Sequence, residues 1–381
     1  MAAAPPAPSL PARDARSGDG DVLRCAASVA ESIAAVAQAR DETVAPGFPT
    51  DAFDRLAAAG LLAVSAVPGS ERPPAATELA CVRTVAAADG SVGRIYDGHV
   101  NAIERLAVQG SSALVARELP LAARGRLWAG VWGGDPVPGE GEPAAVHETP
   151  RGLVLRGAKT FCSGAGGLHR ALVLARAPAP AVSGPPVLAW VDLTDTERVQ
   201  IDRSWYRSHG LRASESHRVV FTDLPVLELF GGPGSISAQP WFGRDALRTA
   251  ASWAGMADSA VTGALEELAA RPSAGALEEL AAGRILAARE TISVWLTDAA
   301  RAMDAAGSRL PGVALNARVA IAAACRELLD EAARACGSRP FARGGRLDRA
   351  RRDLEVFLLQ HRLDPMLARA GAAAIAARRD A

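Results

Sequence analysis

The spacing of apolar residues changes twice along the chain. From Val22 to about Arg124, apolar residues recur every three or four positions in Ala-rich stretches such as "DVLRCAASVAESIAAVAQARD", which is typical of amphipathic helices. From Trp128 to about Leu229, short β-rich runs such as "PVLAWVDL" alternate with Gly and Pro. Long helical segments rich in Ala, Leu, Arg and Glu then continue to the end. The pattern predicts an α+β protein, mainly α, with helices, then an antiparallel β part, then a helical bundle.

These changes of pattern also predict the domain boundaries. We expect a disordered Ala/Pro-rich tail over residues 1–20, an N-terminal helical domain over 21–125, a middle β domain over 126–232 and a C-terminal helical bundle over 233–381. A chain of 381 residues is long enough for two or three domains.

Composition and charge restrict the classes of partner. The chain has 42 basic and 42 acidic residues, so no global field favours nucleic acid or an anionic membrane. Five widely spaced cysteines without a C-x-x-C pair argue against a disulfide framework or a zinc site, and they fit a reducing cytoplasm. The N-terminal stretch lacks the pattern of a signal peptide, and no run of about 18 uncharged apolar residues appears. We therefore expect a soluble cytoplasmic protein without a bound metal.

Four stretches, in order along the chain, resemble motifs of one family. They are "FPTDAFDRLAAAGLLAVSAVPGS", "AAADGSVGRIYDGHVNAIERLAVQG", the β-rich pair "GLVLRGAKTFCSGAGGLHRALVLAR" and "HGLRASESHRVVFTDLPV", and "CGSRPFARGGRLDRARRD". Together they resemble the acyl-CoA dehydrogenase family, whose fold is shared by a group of flavin-dependent monooxygenases. Their common order over nearly the whole chain carries the resemblance.

The resemblance implies a flavin cofactor held between the three parts of the fold. Ser163 stands where the family has a threonine that contacts the flavin edge, and Phe161 stands at the position of a tryptophan that packs against the ring. A hydroxyl group at that place can donate to a flavin heteroatom. The alternative is that both residues are ordinary strand residues between core and surface.

The departures from the family pattern concern the loops around the cofactor. Val131 and Trp132 keep the strand before the family's "T-E-P-x-x-G-S-D" loop, and Trp132 is a candidate to stack near the ring, but the loop's acidic group is displaced to Asp135. Arg271 is the nearest candidate for the arginine that binds the FAD pyrophosphate across the subunit interface. Only Gly337 remains of the "F-G-G-x-G" turn. FAD is the expected cofactor, and FMN, or reduced flavin from a separate reductase, is the alternative.

The catalytic base of the family is also replaced. Counting eight residues from Asp353 places His361 where many members have a glutamate. His361 could act as a general base near neutral pH, or it could assist an oxygenating flavin or activate a phenol or amine substrate. It could also only cap a helix end. Asp245 on the first bundle helix is a second, weaker candidate base. Arg352 and Asp353 are expected to begin and cap a helix, and His99 to pack in the interior.

Three functions stay open at this stage. The leading hypothesis is an oxidoreductase of acyl-CoA dehydrogenase type, acting on the CH–CH bond of an acyl thioester or a related small substrate. The second is a flavin monooxygenase that uses O2, and the third is a non-catalytic relative. The family resemblance also implies a homodimer or homotetramer, and a CoA- or carrier-linked substrate with an electron acceptor or flavin reductase as partner.

Overall fold

The N-terminal part of the protein is helical. The computed structural model describes residues 18–65, 72–178, 184–360 and 363–379. Five helices precede the sheet: α1 (Asp19–Glu42), α2 (Thr50–Ala58), α3 (Ala75–Ala88), α4 (Gly90–Gln109) and α5 (Ser112–Ala123). Of the predicted disordered tail, residues 1–17 lie outside the described residues. Residues 19 and 20 belong to α1.

Helix α1 packs on α3 through residues spaced three or four apart: Val22, Ala26, Ala30, Ile33 and Ala37. By length and composition alone, α1 could also cross a membrane, which is weak evidence because core helices pass the same test.

Asp89 caps the N-terminal end of helix α4, because its side chain accepts a hydrogen bond from Val92 N at 3.1 Å. Such a cap satisfies one of the free amide groups of the first turn. Nearly all of α4 is buried, so this helix is central to the molecule.

Seven strands form one sheet: β1 (Ala129–Trp132), β2 (Ala145–Thr149), β3 (Gly152–Cys162), β4 (Arg170–Ala175), β5 (Val187–Asp192), β6 (Val199–Asp202) and β7 (His217–Leu229). The strand order is β1-β4-β5-β7-β3-β2, with β6 also paired to β7. Every named pairing is antiparallel except β1–β4, which is parallel. The sheet is therefore mixed but mainly antiparallel, in agreement with the predicted antiparallel β part.

The last part of the chain contains α6 (Trp241–Ala269), α7 (Ala276–Ala305), α8 (Leu310–Cys336), α9 (Arg339–Arg343), α10 (Arg346–Leu358) and α11 (Asp364–Arg379). Helix α6 contacts α3, α4, α7, α8 and α10. A Cβ atom added at Gly255 of α6 would lie 2.1 Å from the carbonyl oxygen of Arg83 in α3. Only glycine permits so close an approach of the two helices.

The predicted fold class is confirmed: helices, then a sheet, then a helical bundle. The first five helices end at Ala123, the strands run from Ala129 to Leu229, and the bundle begins at Trp241. The division into domains stays a prediction. One local prediction is wrong, because Arg352 and Asp353 do not begin a helix but lie in the middle of α10. Asp353 accepts a hydrogen bond from Leu211 N at 2.6 Å, which ties α10 to the loop before β7.

Candidate functional site

Strained backbone is concentrated at the junction of the sheet with α4 and α10. Phe161, Leu211 and Glu215 have φ angles of 53°, 53° and 48°, in the left-handed region that non-glycine residues rarely adopt. Each such residue costs on the order of 1–3 kcal/mol and persists where the surroundings impose it, which is common at functional sites. Phe161 lies at a bulge of β3, and the other two flank a 3-10 turn, Arg212–Ser214.

Three serine hydroxyl groups form a chain at this junction. Ser163 Oγ lies 2.8 Å from Ser216 Oγ, which lies 2.7 Å from Ser214 Oγ. All three side chains are buried, and each hydroxyl can donate or accept. Gly164 N donates to Ser214 O at 2.8 Å, so the backbone also holds the two loops together. The predicted residue Ser163 is therefore part of a hydroxyl cluster, defined here as Ser163, Ser214 and Ser216.

Aromatic rings and a histidine border the hydroxyl cluster. Phe161 is 57% exposed, and its ring meets Trp205 edge-on with centroids 4.8 Å apart. His217 is buried, its ring nitrogens make no hydrogen bond of regular geometry, and its Nε2 lies 3.2 Å from Glu215 Oε2. Burial would raise the pKa of Glu215, but His217 and Arg203 outweigh it and lower that pKa. Tyr206 meets the His217 ring edge-on at 6.3 Å.

The two strand residues predicted from the β1 motif lie beside the cluster. Trp132 is 1% exposed, and its Nε1 donates to Ser163 O at 3.0 Å. Its ring packs near Phe221, at a centroid distance of 6.4 Å. Trp132 thus supports the turn at Ser163 from inside, and the described conformation leaves its faces no room to stack on a ligand. Val131 is half-buried in β1.

The displaced acidic residue Asp135 fastens the loop after β1. Lys159 Nζ donates to Asp135 Oδ1 at 2.7 Å and to Gly133 O at 3.2 Å. Thr160 N donates to Gly134 O at 2.9 Å. This loop is thereby pinned to β3.

The residues predicted for the nucleotide half of FAD lie elsewhere in the bundle. Arg271 Nη2 donates to Ala335 O at 2.8 Å and Cys336 O at 2.9 Å, and Nη1 donates to Glu278 at 3.2 Å. Arg271 therefore stabilises the C-terminal end of α8, where orphan carbonyls favour a cation. Gly337 follows α8 with φ 71°, which glycine accommodates at a helix end.

The two candidate bases have different outcomes. His361 lies outside the described residues, just beyond the end of α10. Asp245 is paired with Arg105, whose Nη2 lies 2.6 Å away, and with Arg248 at 3.4 Å. Burial raises the pKa of Asp245, but its oxygens are occupied.

His99 is a packing residue. Its Nε2 lies 2.8 Å from Leu62 O, and Ala129 N donates to its Nδ1 at 3.1 Å. Because Nδ1 accepts, Nε2 carries the proton in the neutral ring. Burial lowers the pKa of His99 to about 4, which keeps the ring neutral.

A buried ionic network joins α3, α4 and α6 behind the site. Glu104 on α4 accepts from Arg244 Nε and Arg248 Nη1, both at 2.7 Å, and also from Arg72. Glu78 on α3 accepts from the same two bundle arginines. Since these groups are almost fully buried, their pairing fixes how the N-terminal helices meet the bundle.

The aspartate Asp97 lies between this network and the site. Asn101 Nδ2 donates to its Oδ1 at 3.1 Å, and Thr249 Oγ1 donates to its Oδ2 at 3.2 Å. Arg94 Nη1 lies 3.9 Å from its Oδ2. Burial raises the pKa of Asp97 to about 6, although Arg94 and Thr249 act in the opposite direction.

Sequence reasoning missed Ser214, Ser216, His217 and Asp97. The first three lie in "RASESHRVV", which the family resemblance covers only at one serine. Their alternating polar pattern just before a strand is the one signal that could have indicated them. Over residues 18–65, 72–178, 184–360 and 363–379, no group of three or more His, Cys, Asp or Glu residues has an arrangement that could hold a metal ion.

Comparison with known proteins identifies the fold. No protein-family model matches the chain, and no curated protein matches its sequence. Among solved structures, FMN-bound dibenzothiophene monooxygenase TdsC from Paenibacillus sp. A11-2 is 21% identical, with 92% of this chain and 96% of that chain covered and a TM-score of 0.80. Methanesulfinate monooxygenase MsuC from Pseudomonas fluorescens is 22% identical, with 92% and 96% covered and a TM-score of 0.77.

Butyryl-CoA dehydrogenase from Megasphaera elsdenii is 16% identical, with 97% of this chain and 100% of that chain covered and a TM-score of 0.82. The protein therefore has the acyl-CoA dehydrogenase fold, which flavin-dependent monooxygenases share, as the sequence motifs predicted.

The residues at the junction fit the ring half of a flavin. A planar heteroaromatic ring with a hydrogen-bonding edge needs an aromatic surface and donors or acceptors beside it. The exposed Phe161 ring and the hydroxyl cluster offer both. Arg271, by contrast, donates to two carbonyl oxygens at the end of α8.

Proposed function

We propose that the protein is a flavin-dependent monooxygenase that oxygenates a small organic substrate with O2. In the net reaction, reduced flavin supplies two electrons, one oxygen atom enters the substrate, and the other leaves as water. The observation that carries the proposal is that the carboxylates on the helices bordering the site are engaged. Asp245 is paired with two arginines, and Asp353 accepts a hydrogen bond from Leu211 N.

Dehydrogenation of an acyl thioester needs a carboxylate that is free to remove a proton. Oxygenation by a reduced flavin has no such requirement. Two of the similar structures are named monooxygenases, TdsC and MsuC, which supports the same choice.

The cofactor in this proposal is FMN rather than FAD, supplied in the reduced state by a separate reductase. The flavin gives the two-electron chemistry, and Phe161, Ser163 and Ser216 hold and orient its ring. The support for FMN is the engagement of Arg271 in a helix end, and one of the similar structures is FMN-bound.

A dehydrogenase is the second candidate, and Asp97 favours it. Burial raises the pKa of this carboxyl to about 6, and a base whose pKa lies near the working pH transfers protons efficiently. Under this hypothesis the substrate is an acyl thioester and FAD is the cofactor.

Anaerobic and aerobic assays separate the two candidates. With photoreduced FMN, we expect oxygen consumption and a substrate-derived product that contains one atom of ¹⁸O from ¹⁸O2. With oxidised FAD under argon, a panel of acyl-CoA compounds should leave the flavin absorbance unchanged. Bleaching of the flavin by an acyl-CoA compound without ¹⁸O incorporation in the aerobic assay would instead establish the dehydrogenase.

A serine variant tests the location of the flavin. Ser163→Ala removes the buried hydroxyl beside the ring site, and we expect at least a fivefold weaker Kd for reduced FMN, measured anaerobically by fluorescence titration. Ser32→Ala is the matched control, because the hydroxyl of this half-buried serine of α1 donates to the local carbonyl oxygen of Val29. Equal Kd values for both variants would exclude Ser163 from the cofactor site.

The role of His361 is a separate proposal that rests on the sequence motif. His361→Ala should leave flavin binding unchanged and abolish turnover. Turnover equal to that of the wild type would refute a catalytic role.

We also propose a cytoplasmic homo-oligomer. The free thiols of Cys25, Cys162, Cys325 and Cys336 fit a reducing compartment. Exposed apolar side chains along α7, namely Leu277, Leu280, Leu286 and Val294, provide a surface for contact between subunits. Light scattering after size-exclusion chromatography should give a dimer or tetramer, and a monomeric mass at micromolar concentration would contradict it.

A further inference from the structure

Five side chains from four helices form a buried cluster beside the candidate flavin site. The cluster, called here the arginine cluster, consists of Arg94 and Asp97 on α4, Trp253 on α6, Arg318 on α8 and Phe357 on α10. Arg318 Cζ lies 5.2 Å from the Trp253 ring centroid, and Arg94 Cζ lies 5.3 Å from that of Phe357. The two rings meet edge-on at 6.2 Å, so the contacts run unbroken from one guanidinium to the other.

Arg318 lacks the partners that a buried cation normally has. The residue is 4% exposed, and its Nε and Nη2 atoms make no hydrogen bond within the part of the chain that the structure describes. Burial lowers the pKa of Arg318 to about 10, and Asp97 is the one opposing charge. A buried guanidinium without a carboxylate is costly, and such groups usually pair with an anion.

Asp97 cannot neutralise both arginines. Its two oxygens already accept from Asn101 and Thr249, and Arg94 is its near ion-pair partner. The cluster therefore holds two guanidinium groups and one carboxylate. The excess positive charge is enclosed in an apolar frame of Trp253 and Phe357, each 1% exposed.

The cluster adjoins the candidate flavin site through α4. A Cβ atom added at Gly98 would lie 3.4 Å from Arg94 Nη1 and 4.0 Å from Val131 N, which places the guanidinium near β1. Arg94 also interacts electrostatically with Tyr206, whose ring lies against His217. The Arg94 end of the cluster thus lies next to the residues proposed to hold the flavin ring.

We propose that the arginine cluster is the substrate subsite and that it takes a small organic anion with a carboxylate-like head group. The inference rests on the proposed oxidoreductase function and adds the class of substrate. The planar Arg318 fork matches an oxyanion in a bidentate arrangement. Trp253 and Phe357 contact the apolar part of the substrate, and the burial of all five side chains limits its size.

Ligand binding tests the inference without any turnover. Acetate, butyrate and benzoate are titrated into the flavin-free protein by calorimetry, beside the neutral amides acetamide, butyramide and benzamide. At least one carboxylate should bind, with an affinity at least tenfold above that of its amide. Arg318→Met should weaken that binding at least tenfold, whereas Arg326→Met, at an exposed arginine of the same helix, should leave it unchanged.

Stability provides a second readout for the same variants. Methionine has a similar volume to the arginine stem and carries no charge, so Arg318→Met should keep or raise the melting temperature of the ligand-free protein. A fall of several degrees would show that Arg318 is a structural ion-pair residue and would overturn the inference. Equal binding of carboxylates and amides, or no carboxylate binding at all, would also overturn it.

The two hypotheses fail in different ways. Oxygenation of neutral substrates by a protein that binds no carboxylate refutes the anion subsite and leaves the monooxygenase intact. Carboxylate binding that depends on Arg318, in a protein that takes up neither FMN nor FAD in any redox state, supports the anion subsite and refutes the proposed enzyme.

Discussion

Replacing Glu104 by glutamine removes one negative charge from the buried network between α4 and α6. Glu104 is fully buried and accepts hydrogen bonds from Arg72, Arg244 and Arg248. In the variant, Arg244 and Arg248 keep Glu78 as their shared carboxylate. We expect a large loss of stability, because breaking a buried pair leaves an uncompensated buried charge.

The magnitude follows from the electrostatics of Glu104. Burial alone would raise the pKa of this carboxyl, but Arg248, Arg244 and Arg72 outweigh it and lower the pKa from the ordinary 4.5 to about 2. At 1.36 kcal/mol for each pH unit, this difference corresponds to about 3 kcal/mol of folding free energy. This value agrees with the cost of removing one partner from other buried ion pairs, which is about 3–5 kcal/mol.

The pH dependence has a definite sign. The pKa of Glu104 is lower in the folded than in the unfolded protein, so its stabilisation is complete above about pH 4.5 and decreases as the pH falls towards 2. Urea unfolding followed by circular dichroism should therefore show a deficit of about 3 kcal/mol for Glu104→Gln at pH 7. By pH 3 the deficit should have fallen to about half or less.

The matched control is Glu355→Gln on α10. Glu355 is 50% exposed and pairs with Arg351 at 2.8 Å, and such surface pairs contribute about 0–1 kcal/mol. A deficit for Glu104→Gln below 1 kcal/mol at pH 7, or one that stays constant from pH 7 to 3, would refute the reasoning.

Three further predictions concern backbone and thiol chemistry. Gly255→Ala should destabilise the protein by about 1–3 kcal/mol or more, because the new Cβ would lie 2.1 Å from a carbonyl oxygen of α3. The control Gly283→Ala should stabilise α7 by up to about 1 kcal/mol, since nothing lies within 4 Å of the new Cβ. Equal urea midpoints for the two variants would contradict this prediction. Ala306→Gly should raise the unfolding free energy by about 1 kcal/mol, since Ala306 ends α7 with φ 46°; a decrease would be the contrary result. Titration of the native protein with a thiol reagent at pH 8 should show one fast-reacting thiol, that of the exposed Cys25. Burial raises the pKa of Cys325 to about 12, so this thiol should stay unreactive until the protein unfolds. Two or more fast-reacting thiols would contradict the burial of the other cysteines.

The sequence predicted the large-scale order of the elements because each element carries a local periodicity. The helical repeats before Arg124 and after Leu229, and the short β-rich runs between them, follow from the burial of one face of each element. Ser163 could be singled out as a candidate site residue, because the motif that contains it is contiguous along the chain. Errors occurred where the pattern is locally ambiguous, as at Arg352 and Asp353, which resemble a helix start but lie inside α10.

The sequence by itself determined the fold class and the absence of an overall charge, because both depend on residues that are close together or simply counted. Only the tertiary structure decided which polar groups share a site. Arg94, Asp97 and Arg318 lie on two helices more than two hundred residues apart, and no local pattern indicates that they meet around Trp253 and Phe357. The physical reason is that charge pairing in a buried cluster depends on which helix faces come together, and long-range packing sets those faces.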